Sequence, residues 1–147
     1  MTGAKAWQDN VIESSPEKGV FNRHEGLIFV SAPSKGIVRK NGDDFVLKVD
    51  FLQVMASLHV ENPRATFISP SLMQYTILPF MPSGTSHDYA GWREQCIIVL
   101  TPCVKILVLP FDGWRESIGV NDEVHTAMGL RKPIEMDVHR LCYKPLV

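Results

Sequence analysis

Residues 45–60 read Phe45-Val46-Leu47-Lys48-Val49-Asp50-Phe51-Leu52-Gln53-Val54-Met55-Ala56-Ser57-Leu58-His59-Val60. Phe45, Leu47, Val49 and Phe51 alternate with their neighbours; the phase then slips by one, and Leu52, Val54, Ala56, Leu58 and Val60 take up the alternation. One slip inside a long strand is what a β-bulge produces, since an extra residue bends the strand and exchanges its faces. A second reading competes, because Phe51, Val54, Met55 and Leu58 also recur at helical spacing. As a strand the segment makes the chain mainly β, whereas a helix over 51–58 moves the class to α+β. The longer alternation favours the strand.

Working outward, Pro63 ends this element, and 65–69 and 72–80 follow as apolar strands separated by Ser69-Pro70-Ser71. Segments 95–100 and 104–109 flank Thr101-Pro102, and their nearly unbroken Ile, Val and Leu predict burial on both faces. Upstream, 26–30 reads as a strand, 32–36 as a turn and 37–39 as a short strand. Asn41-Gly42 is the signal of a tight hairpin. One helix is well marked at about 122–128. Asn121 can cap it, Asp122 and Glu123 suit its first turn, Gly129 and Pro133 close it, and Val124, Ala127 and Met128 form its stripe. Residues 134–147 return as a last strand. The predicted class is mainly β: a β-sandwich or small barrel of seven to nine strands, with one short helix and an N-terminal arm; α+β is the alternative. Residues 1–24 form the arm and 25–147 a single β-rich domain.

Two short motifs recur. Leu78-Pro79-Phe80 precedes Gly91-Trp92-Arg93-Glu94, and Leu109-Pro110-Phe111 precedes Gly113-Trp114-Arg115-Glu116. Each reads as a strand stopped by Pro, with a Trp buried at the corner and Arg and Glu at its rim. Intervals of ten residues and one residue exclude a solenoid repeat.

A hydrophobic content of 45% and a charged content of 21% are those of an ordinary globular domain. The net charge of −1, with no cluster of Lys and Arg, argues against nucleic acid as a partner. No apolar run reaches the ~20 residues of a membrane span, and residues 1–20 lack the apolar core of a secretory signal. Three Cys (Cys96, Cys103, Cys142) read as free thiols made in a reducing cytoplasm. Residues 51–112 hold seven of the 31 charged side chains, so this segment either forms core strands or is covered by another subunit.

The candidates for chemistry each have a structural reading that suffices. Ser86-His87-Asp88 are consecutive and cannot aim at one another as a triad, and no Gly-x-Ser-x-Gly elbow is present. Cys96, Cys103, His139 and Cys142 lack zinc-knuckle spacing, and a thiol in an apolar strand is a small core residue. Asp43-Asp44 and Asp122-Glu123 belong to a turn and to a helix start. The glycines form no phosphate loop. The sequence therefore predicts no catalytic, metal or cofactor site.

What remains is a non-catalytic subunit of a larger assembly, for which a virion part such as a phage capsid, connector or tail protein is the specific expectation. Its partners would be protein subunits, self or other, and its place the cytoplasm and then the virion. Trp7 and Val11 on the arm, with Trp92, Arg93, Trp114 and Arg115 at the two corners, are the expected partner contacts. The alternative is a small cytosolic enzyme or ligand-binding barrel using the 81–94 loop.

Overall fold

Apolar runs of four to six residues lie side by side as parallel strands in the computed structural model, which describes residues 5–14, 24–42, 44–82 and 89–138. β2 (Gly26–Ser31) pairs with β5 (Ala65–Ile68) on one side and β6 (Lys105–Val108) on the other. β6 pairs with β7 (Ile134–Asp137), and a short β1 (Ile12–Ser14) joins β7 at the edge. The sheet order is β1-β7-β6-β2-β5, all parallel. Between the strands run α1 (Ser34–Ile37), α2 (Val49–Glu61), α3 (Pro70–Ile77), α4 (Tyr89–Leu100) and α5 (Ile118–Gly129). The antiparallel hairpin of β3 (Val38–Asn41) and β4 (Asp44–Leu47) stands apart, turning at the Asn41-Gly42 signal.

This is a doubly wound α/β fold, 48% helical and 22% strand, and it overturns both the mainly-β sandwich or barrel and the α+β alternative. The decisive segment is α2. Parallel neighbours need a crossover long enough to return the chain to the same sheet edge, and a helix supplies it. Phe51, Val54, Met55 and Leu58 are buried, the i, i+3, i+4, i+7 face of a helix lying on a sheet. The bulged alternation beyond 51 was produced by exposed apolar residues, chiefly Leu52 and Val60, the latter 81% exposed. Segments 72–80 and 95–100, predicted as strands, are α3 with its 3₁₀ extension and the second half of α4. Pro70 opens α3 at a first-turn position, where its missing N–H costs nothing. The helix expected at 122–128 lies within α5, which begins four residues earlier and is capped by Ser117, whose Oγ accepts from the Val120 amide at 3.1 Å. Asn121 is therefore inside the helix, not its cap.

The repeated motifs do not form equivalent corners. Leu78–Phe80 is a 3₁₀ turn with Phe80 88% exposed, and Trp92 sits in the first turn of α4. Leu109 and Phe111, by contrast, are buried just past β6, and Trp114 lies in the loop before α5.

Each strand of the sheet centre serves two cores. Phe29, Ile106 and Val108 face α4 and α5, meeting Cys96, Leu100, Val120, Val124 and Ala127. Ile28, Val30, Leu107 and Leu109 face α1 and α2, meeting Ile37, Phe51, Val54 and Leu58. The period of two along β2 places Ser31 on the side of Phe29, toward α5. The N-terminal segment joins the first core: Trp7, in a 3₁₀ turn over Ala6–Asp9, is buried there with Val11 partly covered beside it.

Of the segments singled out from sequence, Ser86-His87-Asp88, most of the 81–91 loop, His139 and Cys142 lie outside the described residues. No helix among the described residues is long and apolar enough to cross a membrane.

Candidate functional site at the carboxyl edge of the sheet

The chain leaves β2 toward β5 on one side, then returns to place β6 on the other. The crevice beyond the carboxyl ends of β2 and β6 is thus the topological switch point, where open α/β sheets bind ligands. A cavity of about 480 Å³ opens there. Its walls come from residues 32–35 after β2, from Ser71, Gln74 and Tyr75 of α3, from Trp92 and Cys96 of α4, and from Gly113, residues 116–119 and Glu123. Two glycines bring these walls together. A Cβ at Gly36 would stand 2.6 Å from the carbonyl oxygen of Asp112, so only glycine lets the loop after β2 approach the loop after β6. Gly113 has φ of +86°, and the aliphatic stem of Lys35 lies over it.

Glu123 is the unusual group. It projects from the buried face of α5, between Val120, Val124 and Ala127, and is itself buried. The Ser31 hydroxyl donates to its Oε1 at 2.8 Å. Burial pushes the carboxyl up from its ordinary 4.5 to about 7; the hydrogen bonds from Ser31 and Cys96 oppose that rise, and the charge of Asp122 adds to it. Among the described residues no cation pairs with Glu123. Asp122 beside it is neutralised by Arg93 at 2.9 Å, and that pair lies at the surface.

Cys96 hydrogen-bonds to Glu123 and accepts from the Gln74 side-chain amide at 3.8 Å. Burial first, then the Glu123 charge, push its thiol up to about 12, so Cys96 is a hydrogen-bond donor and not a thiolate nucleophile. Gln74, Cys96, Glu123 and Ser31 thus form one chain of polar contacts joining α3, α4, α5 and β2. Tyr75 donates to the Ser34 hydroxyl at 3.1 Å across the mouth, and Trp92 supplies an aromatic wall. Glu116, exposed, is a second carboxylate on the cavity lining.

The six expected partner contacts fall in two places. Trp92 lines the cavity, and Arg93 beside it binds Asp122. Trp7, Val11, Trp114 and Arg115 cluster at the start of α5: the Trp7 and Trp114 rings lie 5.9 Å apart, and the Arg115 guanidinium covers the Trp114 ring at 4.5 Å. Trp7 packs on its own domain. No group of three or more His, Cys, Asp or Glu among the described residues is placed to hold a metal ion. The sequence reading missed Glu123 because an acid near a helix start has a sufficient dipole explanation. The available signal was its spacing: Val120, Glu123, Val124 and Ala127 form one i, i+3, i+4, i+7 face, on which a carboxylate interrupts the apolar stripe.

Fold and site together define a doubly wound α/β domain with a carboxyl group buried at its switch-point cavity. The chain belongs to the family described as "Domain of unknown function (DUF1937)", whose model matches residues 50–137, from α2 to β7 and including Glu123, Cys96 and Trp92. No curated protein and no solved structure matches it.

Proposed function

We propose that this chain is an enzyme that transfers or hydrolyses a glycosyl group of a small, ring-bearing molecule, with Glu123 as the nucleophile. The observation that carries the reading is a buried carboxyl group on a cavity of small-molecule size, pushed to about 7 and without a countercharge among the described residues. The neighbouring nucleophiles are poorly suited: Cys96 holds its proton, and Ser31 is fully buried with its hydroxyl engaged by Glu123. Carboxylates are the side chains that attack an acetal-type carbon, working with a second acid in a different environment. Ionised Glu123, supported by donors from Ser31 and Cys96, attacks the anomeric carbon as the bond to the leaving group breaks. The leaving group departs through the open mouth beside Glu116 and takes its proton from solvent there, and water or an acceptor alcohol then cleaves the glycosyl ester. Trp92 and Tyr75 offer a flat surface for the ring.

The test is a panel of N- and O-glycosides assayed with the wild type, Glu123→Gln and Glu116→Gln. Glu123→Gln should lose at least ~10³-fold in turnover, and wild-type kcat should rise with pH through about 7 to a plateau. Turnover by Glu123→Gln within threefold of wild type would sink the assignment. So would a rate that falls above pH 7, which would make Glu123 the acid.

A second reading, the assembly subunit expected from sequence, keeps one observation in its favour. Met73, Ile77 and Phe80 expose apolar surface at i, i+4, i+7 along α3 and its 3₁₀ extension. A second copy of the chain is the occupant this reading requires, and sedimentation of wild type against Phe80→Ser tests it: a monomer in both cases ends it.

A further inference from the structure

Asn121, buried one turn into α5, uses every hydrogen-bonding position of its amide. Its Nδ2 donates to the carbonyls of Arg115 and Ser117, at 3.1 and 2.8 Å. Its Oδ1 accepts from Trp7 Nε1 at 2.8 Å and from Gln8 Nε2 at 3.3 Å. Two donors and two acceptors are the full capacity of a carboxamide, and the four partners divide between the loop at 113–119 and the N-terminal turn. Gln8 Nε2 also donates directly to the Arg115 carbonyl at 2.9 Å. The loop held in this way, residues 113–119, forms one wall of the cavity and leads into the turn that carries Glu123.

We propose that the N-terminal turn is a strap, in which Trp7 and Gln8 act through Asn121 as positioning residues for the cavity wall at 113–119 and for the start of α5. The strap is separate from the machinery it holds, since neither Trp7 nor Gln8 lines the cavity, and both precede the span matched by the family. Two kinds of contact do the holding. Trp7 is buried in the apolar cluster that contains Val120 and Val124, beside the Trp114 ring, which Arg115 covers. Its indole N–H and the Gln8 amide then fix the orientation of Asn121, which fixes the two carbonyls. Releasing the turn leaves Asn121 Oδ1 buried without a donor, a penalty that water can relieve only by entering beside the loop. Loosening of 113–119 relaxes Glu123 with it, so the effect on the site deepens the catalytic reading and rests on it; the strap itself does not.

Hydrogen exchange on the full chain tests the strap without any substrate. Trp7→Phe keeps the ring and removes the N–H; Gln8→Ala removes the second donor; Glu123→Gln is the control for the site. In Trp7→Phe and in Gln8→Ala, the amides of 113–121 should exchange ~10-fold faster than in wild type, while those of β2 and β6 are unchanged. Glu123→Gln should leave 113–119 at the wild-type rate. Exchange at 113–121 unchanged in both strap variants, or raised equally across β2 and β6, overturns the proposal by making the turn ordinary core. If Trp7→Phe fails to fold, Gln8→Ala alone decides. Where activity is measurable, the strap variants should raise KM and lower kcat in parallel with faster exchange. A strap that passes exchange while Glu123→Gln remains active would leave the positioning intact and refute only the chemistry.

Discussion

Glu123 and Glu135 are buried alike, 8% and 9% exposed, yet the two ends of the sheet treat them differently. Glu135 stands at the amino edge, in β7, where Lys105 at the start of β6 reaches its Oε1 at 3.1 Å and His24, just before β2, lies 3.8 Å from its Oε2. Glu123 stands at the carboxyl edge among neutral donors, a hydroxyl and a thiol. A buried carboxylate beside a cation is compensated in place and needs no other explanation. One left to be raised to about 7 costs stability at neutral pH, and the fold tolerates that cost beside a cavity. The contrast separates an architectural acid from the one proposed to do chemistry, although the two are equally hidden from solvent.

The largest effect that would sharpen this contrast is at the architectural end. Lys105→Met strips the cation from Glu135 while keeping most of the side-chain volume, and should destabilise by about 3–5 kcal/mol in urea unfolding at pH 7. Adding Glu135→Leu should recover most of that loss, because it removes the stranded charge. If the single variant loses less than about 1 kcal/mol, the pair is not what stabilises Glu135, and the contrast between the two edges weakens.

At the other end the sign reverses. Because the folded state raises the Glu123 carboxyl from 4.5 to about 7, the folded protein binds this proton more tightly than the unfolded chain. Its favourable contribution is complete below about pH 4.5 and is lost as pH rises through about 7. Glu123→Gln, which cannot ionise, should therefore match wild type near pH 4.5 and exceed it by up to roughly 3 kcal/mol at pH 8.5. Chemical denaturation of both proteins across this range checks the prediction. A difference that stays flat with pH would mean that Glu123 ionises as freely folded as unfolded, and would remove the main support for its role.

How far this could be read in advance differs between strands and helices. β2, β5, β6, β7 and the Asn41-Gly42 hairpin were legible, since runs such as Ile28-Phe29-Val30 and Ile106-Leu107-Val108 signal burial on both faces whatever covers them. The covering helices were not. α2 and α4 carry β-branched residues on their solvent sides, with Val60 and Ile98 exposed to 81% and 70%, which erases the 3.6-residue period that distinguishes helix from strand. Unbroken apolar strands were themselves the clue, because a sandwich of antiparallel strands alternates and a covered parallel sheet does not. The cavity was illegible for another reason. Ser31, Gln74, Cys96 and Glu123 come from four elements whose meeting depends on the sheet order, which no local pattern encodes. Trp92, singled out for its motif, does line the cavity, but the motif's second copy at Trp114 lies in the loop before α5, against Trp7.

The smallest effect concerns Cys96 and asks whether the neutral donors at the carboxyl edge matter individually. The thiol sits between the Gln74 amide, which it accepts from, and Glu123, to which it donates, so its hydrogen bond favours the ionised carboxylate. Cys96→Ala removes that donor and should move the Glu123 titration upward. Cys96→Ser keeps a donor of stronger polarity and should leave it at or below the wild-type position. The midpoint can be followed by carboxyl-carbon NMR or by the pH at which stability begins to fall. A downward move in Cys96→Ala would mean that water has entered the space left by sulfur and solvates the charge better than the thiol did. In that event the carboxyl edge is held dry by packing rather than by its hydrogen bonds, and Ser31 alone would account for the support that ionised Glu123 receives.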